Sequence, residues 1–181
     1  EAALVSLWRF TIDYLKEVKK VHNIIYAYSP NRSFMEESNM AKRINRAIEL
    51  LENDQPIYYA GLHSFSKDFL TYEQGKKDAN IWADYINIGM EHGSFDMGGL
   101  EAYMQGLVDG GPTPSGRVTP TVTIELPVQG ESGEIIRSNS WQIRQILARG
   151  VHGILLCEAS SPEAVSAFVE SCRYKLNDQG V

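Results

Sequence analysis

Histidine and glutamate residues follow four apolar, strand-like runs of the sequence, at the point where each run ends. They are His63 after 57–62, Glu91 and His92 at the end of 84–90, Glu125 near the end of 120–127, and Glu158 after 153–157. Side chains of these types can hold a divalent metal ion or transfer protons. Because the carboxyl ends of parallel strands meet at one edge of a sheet, the pattern predicts a reaction site at that edge.

Each of these residues also has a structural interpretation. A single histidine at a strand end is more often a hydrogen-bonded structural residue, and Glu158 could instead cap the helix that follows it. His152 precedes its strand, so it lies at the end away from the predicted site, and we expect it to be structural. Because such residues follow four consecutive predicted strands, the pattern favours a shared catalytic or metal-binding site over separate structural roles.

The elements that would position these residues alternate between strand and helix. Helices are expected where apolar residues recur every three or four positions, and the start of 162–173 is marked by Ser161 as N-cap and Pro162 at the first helical position. The expected helices are 3–19, 38–52, 97–108, 139–149 and 162–173, and the run VHNIIYAY adds a first short strand. This order predicts an α/β fold with parallel strands, either a (β/α) barrel or a doubly wound sheet. The apolar strands further predict a sheet covered on both faces.

Composition and charge exclude several classes of protein. The chain of 181 residues has a net charge of −6, which argues against binding of nucleic acid. No apolar run approaches the roughly 20 residues that span a membrane. No signal peptide is visible, and Cys157 and Cys172 form no CxxC pair. We therefore expect a cytoplasmic protein with buried, reduced thiols, with a disulfide or a reactive thiol as the alternatives.

Residues 35–181 resemble the N-terminal half of the metal-dependent 2-oxo-acid aldolases, the 2,4-dihydroxyhept-2-enedioate aldolase and citrate lyase family. The matching stretches are DYINIGMEHGSFD and WQIRQILARGVHGILLCEASSPEAVSAFVESCRY. The resemblance implies a TIM barrel and a lyase reaction, reversible aldol cleavage. In that reaction a divalent metal (Mg, Mn or Co) binds a pyruvate enolate, and a histidine accepts and donates the proton. It implies that His92, beside Glu91, is the general acid or base, and that the substrate is a 2-oxo acid or an aldehyde.

The sequence departs from that family at several positions. Gly89 stands where the family has an aspartate three residues before its histidine, and the third strand offers Thr123 and Glu125 instead of a substrate-binding arginine. The family's metal-binding carboxylates come from later strands, so we expect either substitutes for them or a chain that is incomplete as an aldolase. The predicted metal ligands are Glu125, Glu158 and His63, and the predicted substrate-binding residues are Thr123 and Gly93.

Residues 1–34 resemble a different family. LWRFTIDYLKEVKKVHNIIYAYSPNRSF is similar to a helix–strand unit of the family 26 glycoside hydrolases, the β-mannanases. The two glutamates of that family lie upstream and downstream of this unit, so neither maps here. We therefore predict two segments, 1–34 and 35–181, in a partial or chimeric TIM-type barrel.

Two interpretations other than the aldolase stay open. The chain could be a non-catalytic or engineered barrel fragment, because its apparent strands are fewer than the eight of a closed barrel. Open sheet edges would then promote homo-oligomers. A glycoside hydrolase fragment is the remaining interpretation, and it accounts only for residues 1–34.

Overall fold

The computed structural model describes residues 44–63 and 69–173, without the side chains of Leu62 and His63. The chain divides into two compact units, Glu1–Lys42 and Arg43–Val181, and every element below belongs to the second unit. In chain order the elements are α1 (Arg46–Glu52), β1 (Tyr59–His63), α2 (Tyr72–Asp78), β2 (Tyr85–Gly89), α3 (Met97–Gly110), β3 (Thr121–Glu125), α4 (Gly133–Ser138), α5 (Ser140–Leu147), β4 (Gly153–Leu155) and α6 (Pro162–Ser171). The predicted helix 3–19, the first predicted strand and the segment boundary at 34–35 lie outside the described residues.

The four strands of the described region form one parallel sheet in the order β1-β2-β3-β4. Each strand pairs with its neighbour in the chain, and helices connect them, as the alternating pattern predicts. The register places His63 opposite Gly89, Gly89 opposite Glu125, and Glu125 opposite Leu155. The carboxyl ends of the four strands therefore form a single row along one edge of the sheet.

One face of the sheet packs on the helices and forms the core. Ile86 and Ile88 of β2 and Val122 and Ile124 of β3 are 0% exposed, because successive side chains of a strand point to opposite faces. Fully buried side chains of the helices pack in the same cluster: Leu100, Tyr103, Leu107, Ile136, Ile143, Ile146, Ala164 and Ala167. Burying each large apolar side chain contributes about 1.5–3 kcal/mol, so this face carries most of the stability of the unit.

The opposite face of the sheet is partly open in the described structure. Tyr59 is 53% exposed and Leu155 is 50% exposed, and the ring of Tyr59 stacks on Tyr85 with 5.5 Å between centroids. The expectation of a sheet covered on both faces is therefore wrong at the edge strands β1 and β4. In the inner strands, Asn87 and Gly89 of β2 and Thr121 of β3 lie on the same face as Tyr59 and are buried.

Helix ends follow the local sequence closely, with one exception. The side chain of Ser161 accepts a hydrogen bond from the backbone N–H of Ala164 at 3.1 Å, and Pro162 opens α6, as predicted. The helix predicted over 139–149 is present as α5, and a further short helix, α4, precedes it and ends next to Asn139. The sequence reasoning missed α4 because a glycine follows its N-cap, Ser132, and the helix has only 6 residues.

A partly buried ion pair holds α1 near the segment that precedes β3. Arg117 is 7% exposed and its guanidinium pairs with the carboxylate of Glu49, which also accepts a hydrogen bond from Arg46 at 2.9 Å. At the start of α1, Asn45 accepts a hydrogen bond from the hydroxyl of Thr121 at 3.2 Å. These contacts join residues about 70 positions apart in the chain, so they position α1 at the amino-terminal side of the sheet.

No helix within 44–63 and 69–173 combines the length and the apolar character needed to cross a membrane.

Candidate functional site

The ends of β2, β3 and β4 continue side by side beyond the regular strands. The backbone N–H of Met90 donates to the carbonyl of Glu125 at 3.2 Å, and that of Leu126 donates to the carbonyl of Leu155 at 3.0 Å. The segment that carries Glu91 is thereby held beside the end of β3. The backbone that carries Glu91 and the strand end that carries Glu125 are therefore adjacent.

Glu91 and His92 form the first feature of the site. Oε2 of Glu91 lies 3.4 Å from Nε2 of His92, and their side chains are 13% and 73% exposed, respectively. A nearly buried carboxylate beside an exposed imidazole can orient the ring and balance its charge when it is protonated. The pair can therefore exchange protons with a molecule in solution.

Glu125, Asn87 and Thr123 form the second feature, a chain of side-chain hydrogen bonds between β2 and β3. Nδ2 of Asn87 donates to Oε1 of Glu125 at 2.6 Å, and the hydroxyl of Thr123 donates to Oδ1 of Asn87 at 2.8 Å. The predicted site residues Thr123 and Glu125 are thus brought together by Asn87, which the sequence reasoning missed. A signal was available, because INIG places a polar side chain between two apolar ones in a strand.

Cys157 lies in the turn after β4, beside the same carboxylates. Burial, a hydrogen bond with Glu91 and the charges of Glu91, Glu125 and Glu158 together raise the pKa of the Cys157 thiol to about 12. The thiol is therefore protonated at neutral pH and donates a hydrogen bond. Its high pKa argues against the alternative of a reactive thiol, because the thiolate is the nucleophile. Cys157 and Cys172 are both free, in agreement with the expectation of reduced thiols, but both are half-buried and not fully buried as expected.

Of the predicted metal ligands, the side chains that the structure describes, Glu125 and Glu158, do not form part of a metal site. Glu158 is exposed and has a φ of 48°, and the helix after it is capped by Ser161. His63 ends β1, but its side chain lies outside the described structure. Among the side chains that are described, no three or more from His, Cys, Asp and Glu are arranged to hold a metal ion. The role of Glu125, Glu158 and His63 as ligands stays a prediction.

Gly93, a predicted substrate-binding residue, is half-buried in the turn that follows His92. Thr123, the other predicted substrate-binding residue, uses its hydroxyl proton in the bond to Asn87. Thr123 lies in the middle of β3 and Gly93 lies beyond the end of β2, and their contact with a substrate stays a prediction.

His152 lies at the opposite end of the sheet and is structural, as expected. Its Nδ1 accepts a hydrogen bond from the backbone N–H of Val122 at 3.1 Å, which places the ring proton of the neutral form on Nε2. Burial lowers the pKa of His152. The ring therefore fastens β3 to the segment before β4 in its neutral form.

Comparison with known proteins finds similarity to a glycoside hydrolase family in the N-terminal segment. The family model for glycosyl hydrolase family 26 matches residues 2–43. A mannan endo-1,4-beta-mannosidase from Bifidobacterium adolescentis is 53% identical over 33 residues, which are 18% of this chain and 3% of that protein. These matches agree with the predicted resemblance of the N-terminal segment. They cover less than a quarter of the chain, so the similarity belongs to that segment alone.

The fold resembles a different family. The crystal structure of an HpcH/HpaI aldolase/citrate lyase family protein from Burkholderia cenocepacia J2315 matches with a TM-score of 0.52 and 15% sequence identity. The match covers 75% of this chain and 47% of that one, so this chain spans about half the length of the solved structure. At this identity the likeness concerns the fold alone. The chain therefore has an aldolase-like, TIM-barrel-type α/β fold with parallel strands, as predicted.

Proposed function

We propose that this chain carries part of an aldolase-type reaction site, a carbon–carbon lyase that acts on small 2-oxo acids such as pyruvate. The observation that supports the proposal best is the Glu91–His92 pair, with its 3.4 Å contact, at the carboxyl end of β2 in an aldolase-like fold. Glu125 lies on the adjacent strand, so acid–base groups occur on neighbouring strand ends.

In the proposed reaction His92 moves the proton. With the ring proton on Nε2, facing Glu91, the lone pair on Nδ1 accepts a proton from the carbon next to the 2-oxo carbonyl. The electron pair of the broken C–H bond forms the enolate, and the carboxylate of Glu91 balances the charge of the ring. The enolate carbon then forms a bond to the carbonyl carbon of an aldehyde, whose oxygen takes up the proton. Cleavage is the reverse of these steps.

A divalent metal ion, Mg, Mn or Co, remains part of the proposal only as a prediction from the family resemblance. The described side chains do not come together as a metal site, and no step above depends on one. The assay therefore has to be run with each of these ions and without them.

Exchange of the pyruvate methyl protons for deuterium, followed by NMR in D2O, tests the proposal. We expect exchange above the buffer rate, reduced by about 10²–10⁴-fold in His92→Gln, because general acid–base catalysis contributes a factor of that size. Glu91→Gln should retain more activity than His92→Gln. Glu101→Gln is the control, since that carboxylate is 71% exposed in an ion pair with Arg149. Equal exchange by the wild-type protein and His92→Gln would refute the role of His92.

Hydrolysis of β-mannan is a second candidate function, favoured by the match of residues 2–43 to glycosyl hydrolase family 26. We expect no release of reducing sugar, because the two catalytic glutamates of the resembling family do not map onto this segment. Release of mannose oligomers by the purified chain would support hydrolysis of β-mannan as its function.

We also propose that copies of the chain associate through the edges of the sheet, since β1 and β4 each pair on one side only in the described region. Sedimentation velocity measures the association, and a monomer over the whole concentration range would contradict it. A cytoplasmic location and the lack of nucleic-acid and membrane partners are further proposals from composition.

A further inference from the structure

Asn87 occupies the centre of a polar contact on the face of the sheet opposite the hydrophobic core. It is 8% exposed, and it lies directly opposite Thr123 in the register of β2 and β3. Its two side-chain bonds reach Thr123 at 2.8 Å and Glu125 at 2.6 Å. A buried amide has to be hydrogen-bonded on both sides to be tolerated, and these two neighbours satisfy Asn87.

The charge of Glu125 decides which way the amide is turned. If Oδ1 of Asn87 faced the carboxylate, two hydrogen-bond acceptors would lie 2.6 Å apart. With Nδ2 toward Glu125, Oδ1 faces Thr123, whose hydroxyl has a proton to donate. The three groups therefore form a directed chain from Thr123 through Asn87 to Glu125, and the bond to the carboxylate is a charge-assisted one.

The position opposite Glu125 in β2 is Gly89, which adds no side chain beside the carboxylate. Asn87 is thus the residue of β2 that contacts Glu125 through a side chain in the described structure. It binds Oε1, and among the described contacts Oε2 remains the oxygen that can accept a hydrogen bond from a bound molecule.

We propose that Asn87 is a positioning residue for Glu125, with Thr123 holding the Asn87 amide in turn. The inference rests on the proposed function, because it assigns Glu125 to the same 2-oxo-acid site as His92. Asn87 acts through Glu125: it sets the location of a carboxylate at the proposed site, and it does not touch the reacting molecule itself. Displacing a reacting group by about 1 Å can cost two orders of magnitude in rate.

A double-mutant cycle on pyruvate proton exchange separates this role from a structural one. Asn87→Leu replaces the buried amide by an apolar group of similar size, and we expect it to lower the rate at saturating pyruvate by about 10–100-fold, with a smaller effect on KM. In the Glu125→Gln background, Asn87→Leu should lower the same rate by less than about 3-fold, because the effects of substitutions at residues that act as one unit are not additive. Equal losses in the two backgrounds would overturn the proposal, since Asn87 would then act independently of Glu125.

Substitutions at two further positions complete the experiment. Thr123→Val removes the hydroxyl that holds Asn87 and should lower the rate several-fold, and Thr123→Ser, which keeps a hydroxyl, should recover most of that loss. Asn80→Leu alters an exposed amide that donates only to the carbonyl of Gly110 at 3.2 Å, and it should leave exchange unchanged. If Thr123→Val exchanges like the wild type, Thr123 has no part in holding Asn87.

The side-chain amide signals of Asn87 in a ¹⁵N–¹H spectrum give a readout that needs no activity. We expect them to move and their solvent exchange to quicken in Glu125→Gln, because a charged acceptor is lost. Unchanged signals would show that the contact does not exist, whatever the activity. If the signals move but the wild-type protein exchanges no pyruvate protons, the proposed function fails and the positioning role fails with it.

Discussion

The contact between α2 and α3 leads to a prediction with a well-defined magnitude. Their backbones touch where two glycines face each other's helix, Gly75 in α2 and Gly106 in α3. A Cβ at position 106 would overlap the carbonyl oxygen of Tyr72 and would lie only 3.0 Å from the backbone nitrogen of Lys76. We therefore expect Gly106→Ala to force the two helices apart.

Two opposing effects decide the size of the change. In a free helix, alanine is more favourable than glycine by about 1 kcal/mol. Overpacking a core costs about 1–3 kcal/mol or more, and the upper end applies because the overlapped atoms are backbone and cannot rotate away. Separating the helices also loosens the packing of Tyr103 and Leu107, which are both 0% exposed. We expect a net loss of about 2 kcal/mol in the free energy of unfolding.

Urea denaturation followed by circular dichroism measures this change, with Gly98→Ala as the matched control. A Cβ at Gly98, in the same helix, would have Asp96 Oδ1 at 3.8 Å as its neighbour, so only the propensity gain applies. Gly98→Ala should therefore stabilise the protein by up to about 1 kcal/mol. Gly75→Ala should destabilise like Gly106→Ala, and the double variant should lose less than the sum, because one separation of the helices relieves both overlaps.

The reasoning would be refuted if Gly106→Ala were as stable as the wild-type protein while Gly98→Ala showed its expected gain. That result would mean that α2 and α3 do not meet at their glycines.

Three further predictions concern charges and protons away from this contact. Arg117→Met should destabilise the protein by about 2 kcal/mol, less than for a fully buried pair, because its partner Glu49 is 30% exposed. Burial lowers the pKa of His152, so the stabilisation that the neutral ring provides is complete above the unfolded pKa of about 6.5 and is lost as pH falls through the lower folded pKa. The free energy of unfolding of the wild-type protein should therefore decline between about pH 7.5 and 5, and that of His152→Asn should decline less. The pKa of the thiol is raised to about 12 for Cys157 and to about 11 for Cys172, so iodoacetamide should label both slowly at pH 8, and Cys157 more slowly.

Each of these predictions has a control and a contrary outcome. Arg137→Met removes a surface pair in which both side chains are about 60% exposed, and it should change stability by less than about 0.5 kcal/mol. An equal effect of the two arginine substitutions would contradict the partly buried ion pair. If the free energy of unfolding of His152→Asn declined with falling pH as steeply as that of the wild-type protein, other titrating groups would be responsible for the decline. Labelling of Cys157 at the rate of a free cysteine would show that its thiol is not held beside carboxylates.

Features that depend on neighbours in the chain were predictable. Alternating strands and helices, the cap of α6 at Ser161 and the adjacency of Glu91 and His92 need only contacts between residues a few positions apart. The structural role of His152 followed from its position before a strand. The short helix α4 was not predicted for a local reason as well, because a glycine directly after its N-cap weakens the sequence pattern of a helix.

The candidate site could be predicted only in part, because it depends on register. Thr123 and Glu125 were identified by their place near a strand end, but nothing in their own strand indicates that Asn87, 36 and 38 positions away, joins them. Shifting a strand by one residue would turn all its side chains to the other face, so the contact exists only in the register found here.

By itself, the sequence determined the alternation of strands and helices, apart from the short helix α4, and the identities of the groups that could transfer protons. These properties arise from local hydrophobic periodicity and from the chemistry of single side chains. Only the tertiary structure decided which face of the sheet is buried, which carboxylate Asn87 holds and why Cys157 keeps its proton. Those outcomes depend on how parallel strands align across long stretches of chain, and that alignment is a property of the packed sheet as a whole.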